Sequence, residues 1–114
     1  RVQLVVNGRV VAIRQVPADG EPHDLDFETQ IDRSSWVALR HFPQLHTNPV
    51  NVLVAGKPIR ASRSSALWCA EAIRLLWNNR SNRIAEKERE AAQTAYHQAI
   101  QRYEQIAREC PDGS

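Results

Sequence analysis

Four histidines, two cysteines and the adjacent pair Ser34-Ser35 are the residues whose types could do chemistry. His41 and His46 lie in the stretch SSWVALRHFPQLHTNP, residues 34–49, with His23 and His97 far from it in sequence. A zinc site takes three or four convergent ligands. If a strand continues to Phe42, His41 lies on the same side as Val37 and Leu39, while His46 follows Pro43 in a loop, so the spacing does not fix the direction of one ring relative to the other. Cys69 and Cys110 fall on two predicted helices at different heights and complete no ligand set. A nucleophilic site would pair Ser34, Ser35 or Cys69 with an oriented histidine. No Gly-x-Ser-x-Gly turn activates a serine, and Cys69 sits on an apolar helical stripe where a thiol packs as a small inert hydrophobe. Gly8, Gly20, Gly56 and Gly113 are isolated, so no phosphate-cradling loop is present. The residues therefore point to no reaction, no catalytic group and no metal ligand, and no cofactor is expected in this segment.

Binding is a softer requirement than catalysis. Trp36, Trp68 and Trp77 could stack against sugars or bases, although Trp68 and Trp77 occupy helical positions that suit packing onto a sheet. In Thr47-Asn48-Pro49 the residue before proline is biased away from helix, and the Thr and Asn side chains can cap loop backbone, which predicts an ordered corner delivering the next strand. Arg40 and His41 read as strand residues. Trp36, Arg40, His46, Asn48 and Trp77 remain as candidate interface or binding residues.

These residues must be positioned by strands in the first half and helices in the second. Val2–Val6 and 9–14 flank Asn7-Gly8, a hairpin signal because a type I′ turn needs positive φ at both central residues. Residues 17–22 form a loop with two prolines. Leu25, Phe27, Thr29 and Ile31 alternate with polar residues, which predicts a strand near an edge with one wet face. Around Trp36 both faces are partly apolar, Val37 and Leu39 on one and Trp36, Ala38 and Phe42 on the other, as in a central strand covered on both sides. Residues 50–54 form a similar strand, followed by a turn at 55–58.

From Ser62 the period changes. A serine at 62, 64 or 65 can cap a helix over about 63–78 whose stripe is Ala66, Cys69, Ile73 and Leu76. A second helix over about 84–109 carries Ala92, Tyr96, Ala99, Tyr103, Ile106 and Cys110 on one stripe and stops at Pro111. In an antiparallel hairpin Cys69 and Cys110 are offset by on the order of 20 Å, beyond the roughly 4.4–6.8 Å that a disulfide allows, so two free and mostly buried thiols are expected. Strands followed by helices give an α+β chain. The expected form is a partial Ig-like antiparallel sandwich or sheet of about five strands, where a full sandwich has around seven. Residues 1–60 form the sheet part, and residues 61–114 form a helical hairpin packed on it within one domain. Its start at Arg1 and the small strand number suggest a fragment of a longer chain.

Length and composition bound the rest. A chain of 114 residues with 42% hydrophobic and 25% charged residues suits one folded domain, and no apolar run approaches the roughly 18 residues needed to cross a bilayer. A net charge of +2 with basic residues spread along the chain gives no nucleic-acid surface. No compartment is readable; a secreted or periplasmic location is compatible with the sequence.

The ordered series RSSWVALRHFPQLHTNPVNVLVAGKPIRASRSSALWCAEAIRLLW, residues 33–77, together with the earlier VVNGRVV, resembles the C-terminal region of CehA/McbA-family metallohydrolases, which are built around a PHP-type metal-dependent domain. The resemblance implies that the family's His and Asp ligands lie upstream, with no matching position here, and that this segment is a noncatalytic accessory module whose partner is the hydrolase domain of the same chain. Gln44-Leu45 before His46 departs from the smaller polar residues of that loop. Two alternatives come from other classes: a carbohydrate- or surface-binding module, and a homo-oligomerisation module in which an open edge pairs with another copy.

Overall fold

The computed structural model describes residues 1–41 and 44–114; Phe42 and Pro43, placed above on the central strand and before the His46 loop, lie outside the described residues. The chain is α+β: an open antiparallel sheet followed by two helices. It divides into two compact units, Arg1–Ile59 and Arg60–Ser114.

In the first unit, β1 (Val2–Val6) and β2 (Arg9–Arg14) form the expected hairpin, with φ of 50° at Asn7 and 86° at Gly8. Only Gly or Asn visits this region readily, so the dipeptide dictates the turn. Val5 pairs with Val10 but Leu4 with Ala12, which leaves Val11 as a bulge in the outer strand. β3 (Ser35–His41) is the central strand. Its residue Arg40 pairs with Gln3 of β1 on one side and with His46 of β4 (Leu45–His46) on the other; Val37 likewise pairs with Val6 and with Val50 of β5 (Val50–Val52). The chain after β3 therefore returns along one edge of it in two short pieces, and the expected strand at 50–54 ends at Val52.

The alternating stretch 25–31 forms no strand. Leu25, Phe27 and Ile31 are half-buried and their polar neighbours exposed, and the Arg14 guanidinium lies 5.3 Å from the Phe27 ring centroid. The alternation thus reports an extended segment lying with one side down. Period 2 fixes which residues face inward; it does not supply a hydrogen-bonding partner.

In the second unit, α1 (Arg63–Arg80) and α2 (Glu86–Glu109) form an antiparallel hairpin through a short 3₁₀ turn at Ser81–Arg83. The contact line on α1 runs through buried Ala66 and Ala70, with Ile73 half-buried beside them and Trp77 set 5.1 Å from the Tyr96 ring. This is one position off the expected stripe, so Leu76 is 39% exposed. Trp68 is 72% exposed and does not meet α2, because nine residues at about 100° each place it opposite Trp77. On α2 the expected stripe is half-buried or buried, but Ile100 and Ala107 beside it are the buried residues of the helix itself. Cys69 and Cys110 are free thiols, the first half-buried and the second buried.

The open end of this hairpin is closed by reciprocal capping. Ser62 is the N-cap of α1 and accepts the Ser65 N–H at 3.2 Å. The Arg63 and Ser64 N–H groups donate to the Ser114 hydroxyl and carbonyl, both at 2.9 Å. In return the Arg63 guanidinium donates to the carbonyls of Ala107 at 3.1 Å and Cys110 at 3.0 Å and pairs with Asp112 at 2.7 Å. The groups that a helix end leaves without an internal partner are thus met by the other helix's terminus. At the closed end Arg89 donates to the carbonyls of Ser81 and Ile84.

Replacing Arg63 by Met keeps the aliphatic stem and removes those donors; we expect a loss of about 1–3 kcal/mol, read from denaturant melts followed by helical circular dichroism. Glu109 gives a pH signature. Arg60, which donates to its carboxylate, holds it below its ordinary value of 4.5. A carboxylate whose folded value is depressed contributes stability above the unfolded value and loses it as pH falls through the folded one. Below pH 4.5 the native chain should therefore lose stability more steeply than Glu109→Gln, in melts taken from neutral to acid pH.

Candidate functional site

The Asn7-Gly8 turn does more than reverse the chain. From its left-handed conformation Asn7 reaches β3 by three bonds: its N–H donates to the Trp36 carbonyl at 3.0 Å, its Oδ1 accepts the Trp36 N–H at 3.0 Å, and its Nδ2 donates to Ser35 Oγ at 3.1 Å. Ser35 in turn donates to the Arg33 carbonyl at 2.8 Å. Both backbone polar groups of Trp36 are thus held by Asn7 on one edge of β3, and the indole covers Gly8, where an added Cβ would stand 3.9 Å from its Cζ2. That is ordinary contact, so it is the positive φ rather than space that calls for glycine.

Ser34, 4% exposed, performs a similar service for the turn after β5. Its hydroxyl accepts the Val54 N–H at 2.9 Å and donates to the Lys57 carbonyl at 2.5 Å, while Ala55 and Gly56 take φ of 54° and 67°. Thr47 fills the gap between β4 and β5: its N–H donates to the Leu39 carbonyl at 2.9 Å and its Oγ1 accepts the Leu39 N–H at 3.0 Å. The threonine side chain replaces a strand carbonyl, so the ladder along β3 is not interrupted where the chain bends. This is the ordered corner that Thr47-Asn48-Pro49 predicts.

Between these clasps lies a shallow depression of about 500 Å³. Trp36, Ala38 and Arg40 line it from one face of β3, Val5 from β1, and His46 and Thr47 from the returning chain. Its walls are apolar apart from a few polar groups. Arg40 Nε donates to Gln3 Oε1 at 2.9 Å, which holds the guanidinium along the sheet. His46 Nδ1 lies 3.1 Å from the Thr47 carbonyl, a group that can only accept, so Nδ1 is the donor in this contact. Aromatic surface, a guanidinium and an imidazole therefore meet around one concavity of a size usual for small-molecule sites.

Of the candidate residues, Trp36, Arg40 and His46 come together here. Asn48 is exposed at the corner and is not part of the lining. Trp77 belongs to the helical unit, where it borders a different concavity of about 360 Å³ with Arg74, His97 and Glu104. The sequence reading missed Thr47 as a ladder substitute and Asn51, which lines the depression opposite Trp36 in register. The register could have revealed Asn51, had the pairing of β3 with β5 been derivable from pattern alone.

The remaining histidines serve other ends. His23 Nε2 lies 2.9 Å from Asp19 Oδ1, and this contact, with the Glu21 N–H, holds the Asp19 carboxyl below its ordinary value. His41 is exposed at the end of β3. Among the described residues no three or more His, Cys, Asp or Glu side chains gather as metal ligands do, and no helix is long and apolar enough to cross a membrane.

Comparison with known proteins finds no matching family model, and neither a curated protein nor a solved structure matches the chain.

Removing the Asn7 clasp tests how the depression is held. Asn7→Ala loses two side-chain hydrogen bonds and places a Cβ-bearing residue with no local compensation at positive φ, for an expected cost of about 2–4 kcal/mol. Asn7→Gly restores the turn without the bonds and should recover about 1 kcal/mol of that. Thermal melts give the energies, and Trp36 fluorescence should move toward longer wavelength in both variants.

Proposed function

We propose that this chain is a noncatalytic accessory module of a metal-dependent hydrolase of the CehA/McbA type, following the hydrolase domain in the same polypeptide. The observation that carries this reading is how the resembling residues are used. In the series SSWVALR…HTNP, the Ser34, Ser35 and Thr47 side chains and the Trp36 peptide are all engaged in fastening β3 to its neighbours. A motif spent on backbone hydrogen bonds specifies a rigid sheet rather than a reacting group. Its contribution is then mechanical: the sheet shields the neighbouring domain or builds one wall of its substrate cleft.

A second reading rests on the depression itself. Trp36 beside Arg40 and Asn51 has the makeup of a carbohydrate-binding surface, an aromatic face for the sugar ring with polar groups for its hydroxyls.

Two measurements separate the readings. The purified chain, assayed against phosphodiester and amide substrates with added zinc or manganese, should show no turnover above the metal-only blank; metal-dependent turnover would defeat the accessory-module reading. In the complete gene, an upstream segment with clustered His and Asp is expected, and its absence would count against that reading equally. A glycan-array signal that drops at least about tenfold in Trp36→Ala, a loss on the scale of 1.4 kcal/mol or more, would favour the second.

A further inference from the structure

We propose that Asn7-Gly8 is a self-modification site: once the Asn7 clasp opens, the Gly8 amide nitrogen attacks the Asn7 side chain, and the isoaspartyl residue that results keeps the sheet from closing again. The inference is independent of the functional reading above. Among the chain's asparagines, Asn7 alone precedes glycine. Glycine matters because, without a side chain, it leaves its amide nitrogen unhindered, and Gly8 is exposed at the turn while Asn7 is half-buried. Asp19-Gly20 and Asp112-Gly113 share the glycine, but their side chains are carboxylates engaged by His23 and by Arg63, and an ionised carboxyl resists attack by a nitrogen nucleophile.

The reaction balances with water as the one co-reactant and involves no oxidation. Solvent base takes the Gly8 amide proton, the nitrogen forms a bond to Asn7 Cγ, and the Cγ–Nδ2 bond breaks as Nδ2 takes a proton from water and leaves as ammonia. A five-membered imide then joins the two residues, and water adds to one of its carbonyls. Opening at Cγ gives an aspartyl residue. Opening at the main-chain carbonyl leaves Gly8 joined to Cγ, an isoaspartyl link with one more carbon in the backbone.

The closed sheet opposes that attack. Both ends of the side-chain amide are engaged by β3: Oδ1 accepts the Trp36 N–H, and Nδ2, the leaving group, donates to Ser35 Oγ. Bringing Cγ onto the Gly8 nitrogen means releasing the side chain from β3 first, so the reaction samples the locally open hairpin. The products do not restore the clasp. An isoaspartyl residue carries its carboxylate on Cα, too short to reach Ser35, and its longer backbone no longer fits the two positive φ values that set Val6 opposite Arg9. An aspartyl residue places a carboxylate oxygen where Nδ2 donated, and Ser35 can donate to it only by giving up the Arg33 carbonyl. A transient opening thus becomes permanent, and the wall that Trp36 contributes to the depression goes with it.

Peptide mass spectrometry of the full chain, incubated at mildly alkaline pH, follows the reaction: conversion adds one mass unit at Asn7, and chromatography separates isoaspartyl from aspartyl forms. In the urea-unfolded chain Asn7 should convert ahead of every other asparagine. In the native chain its conversion should be on the order of 30-fold slower, the factor set by two hydrogen bonds of ordinary net strength. Ser35→Ala removes one of those bonds and should convert about fivefold faster than native, with unchanged helical circular dichroism. Because Ser35 is buried, a measurement on the unaltered chain accompanies the variant. In sub-denaturing urea, hydrogen exchange at the Trp36 backbone N–H and conversion of Asn7 should rise in proportion. In the isolated isoaspartyl chain that N–H should have lost its protection. Equal rates in the folded and unfolded chain, a Ser35→Ala rate matching native, exchange and conversion that do not rise together, or native protection at Trp36 in the isoaspartyl chain would each overturn the proposal.

Discussion

The register of the sheet unit depends first on the side-chain amide of Asn7. Asn7 both sets the conformation of a turn and bonds across to the central strand, donating to Ser35 Oγ and accepting the Trp36 N–H. A β-hairpin alone is marginal in water, and a third strand must be locked in register before a sheet acquires an inside. Because side chains alternate along β3, a slip of one residue would turn Trp36, Ala38 and Arg40 to the other face. Asn7 forbids that slip at the end of β3 nearest the turn, and Thr47 forbids it near the other end through its two bonds to Leu39. The depression exists because both clasps hold at once.

The helical unit solves a related problem by another route. Its buried residues are small, Ala66, Ala70, Ala107 and Cys110 with Ile100, so they let the backbones approach but contribute limited apolar area. What complements this is satisfaction of the helix ends, where Arg63 and Ser114 exchange donors and acceptors across the pair. Arg74 adds a bridge to Glu71 and Glu104 at mid-length. Exposed pairs are individually weak, and the Arg74–Glu104 pair, which alone of the two crosses to α2, favours the helix–helix register more than it raises stability.

Much of this was legible in the residues and some was not, for physical reasons. Asn-Gly announced its turn because few dipeptides tolerate two positive φ values, and the change from period 2 to period 3.6 at Ser62 announced the passage from strands to helices. The stretch 25–31 misled because alternation encodes sidedness, which an extended loop shares with a strand. Leu76 misled because α1 is apolar nearly all round, and periodicity cannot then say which side meets its neighbour. Trp36, Arg40 and His46 were singled out by type; what joins them is the cross-strand register of Arg40 with His46, a long-range pairing that no local pattern carries. Thr47 was read as a loop cap, and it is one, but the backbone it serves belongs to Leu39, eight residues away.

The same constraint accounts for how the hydroxyls and the imidazole of the 34–49 stretch are used. A serine hydroxyl becomes a nucleophile when a base can take its proton, and a base is useful only if one of its nitrogens faces that hydroxyl. Ser34 directs its proton to the Lys57 carbonyl and Ser35 to the Arg33 carbonyl, while His46 spends its own on the Thr47 carbonyl. Each potential participant is thus committed to a backbone carbonyl, an acceptor too weakly basic to activate a hydroxyl. Those commitments hold the chain in place around Trp36, beside which Arg40 and His46 line the same depression.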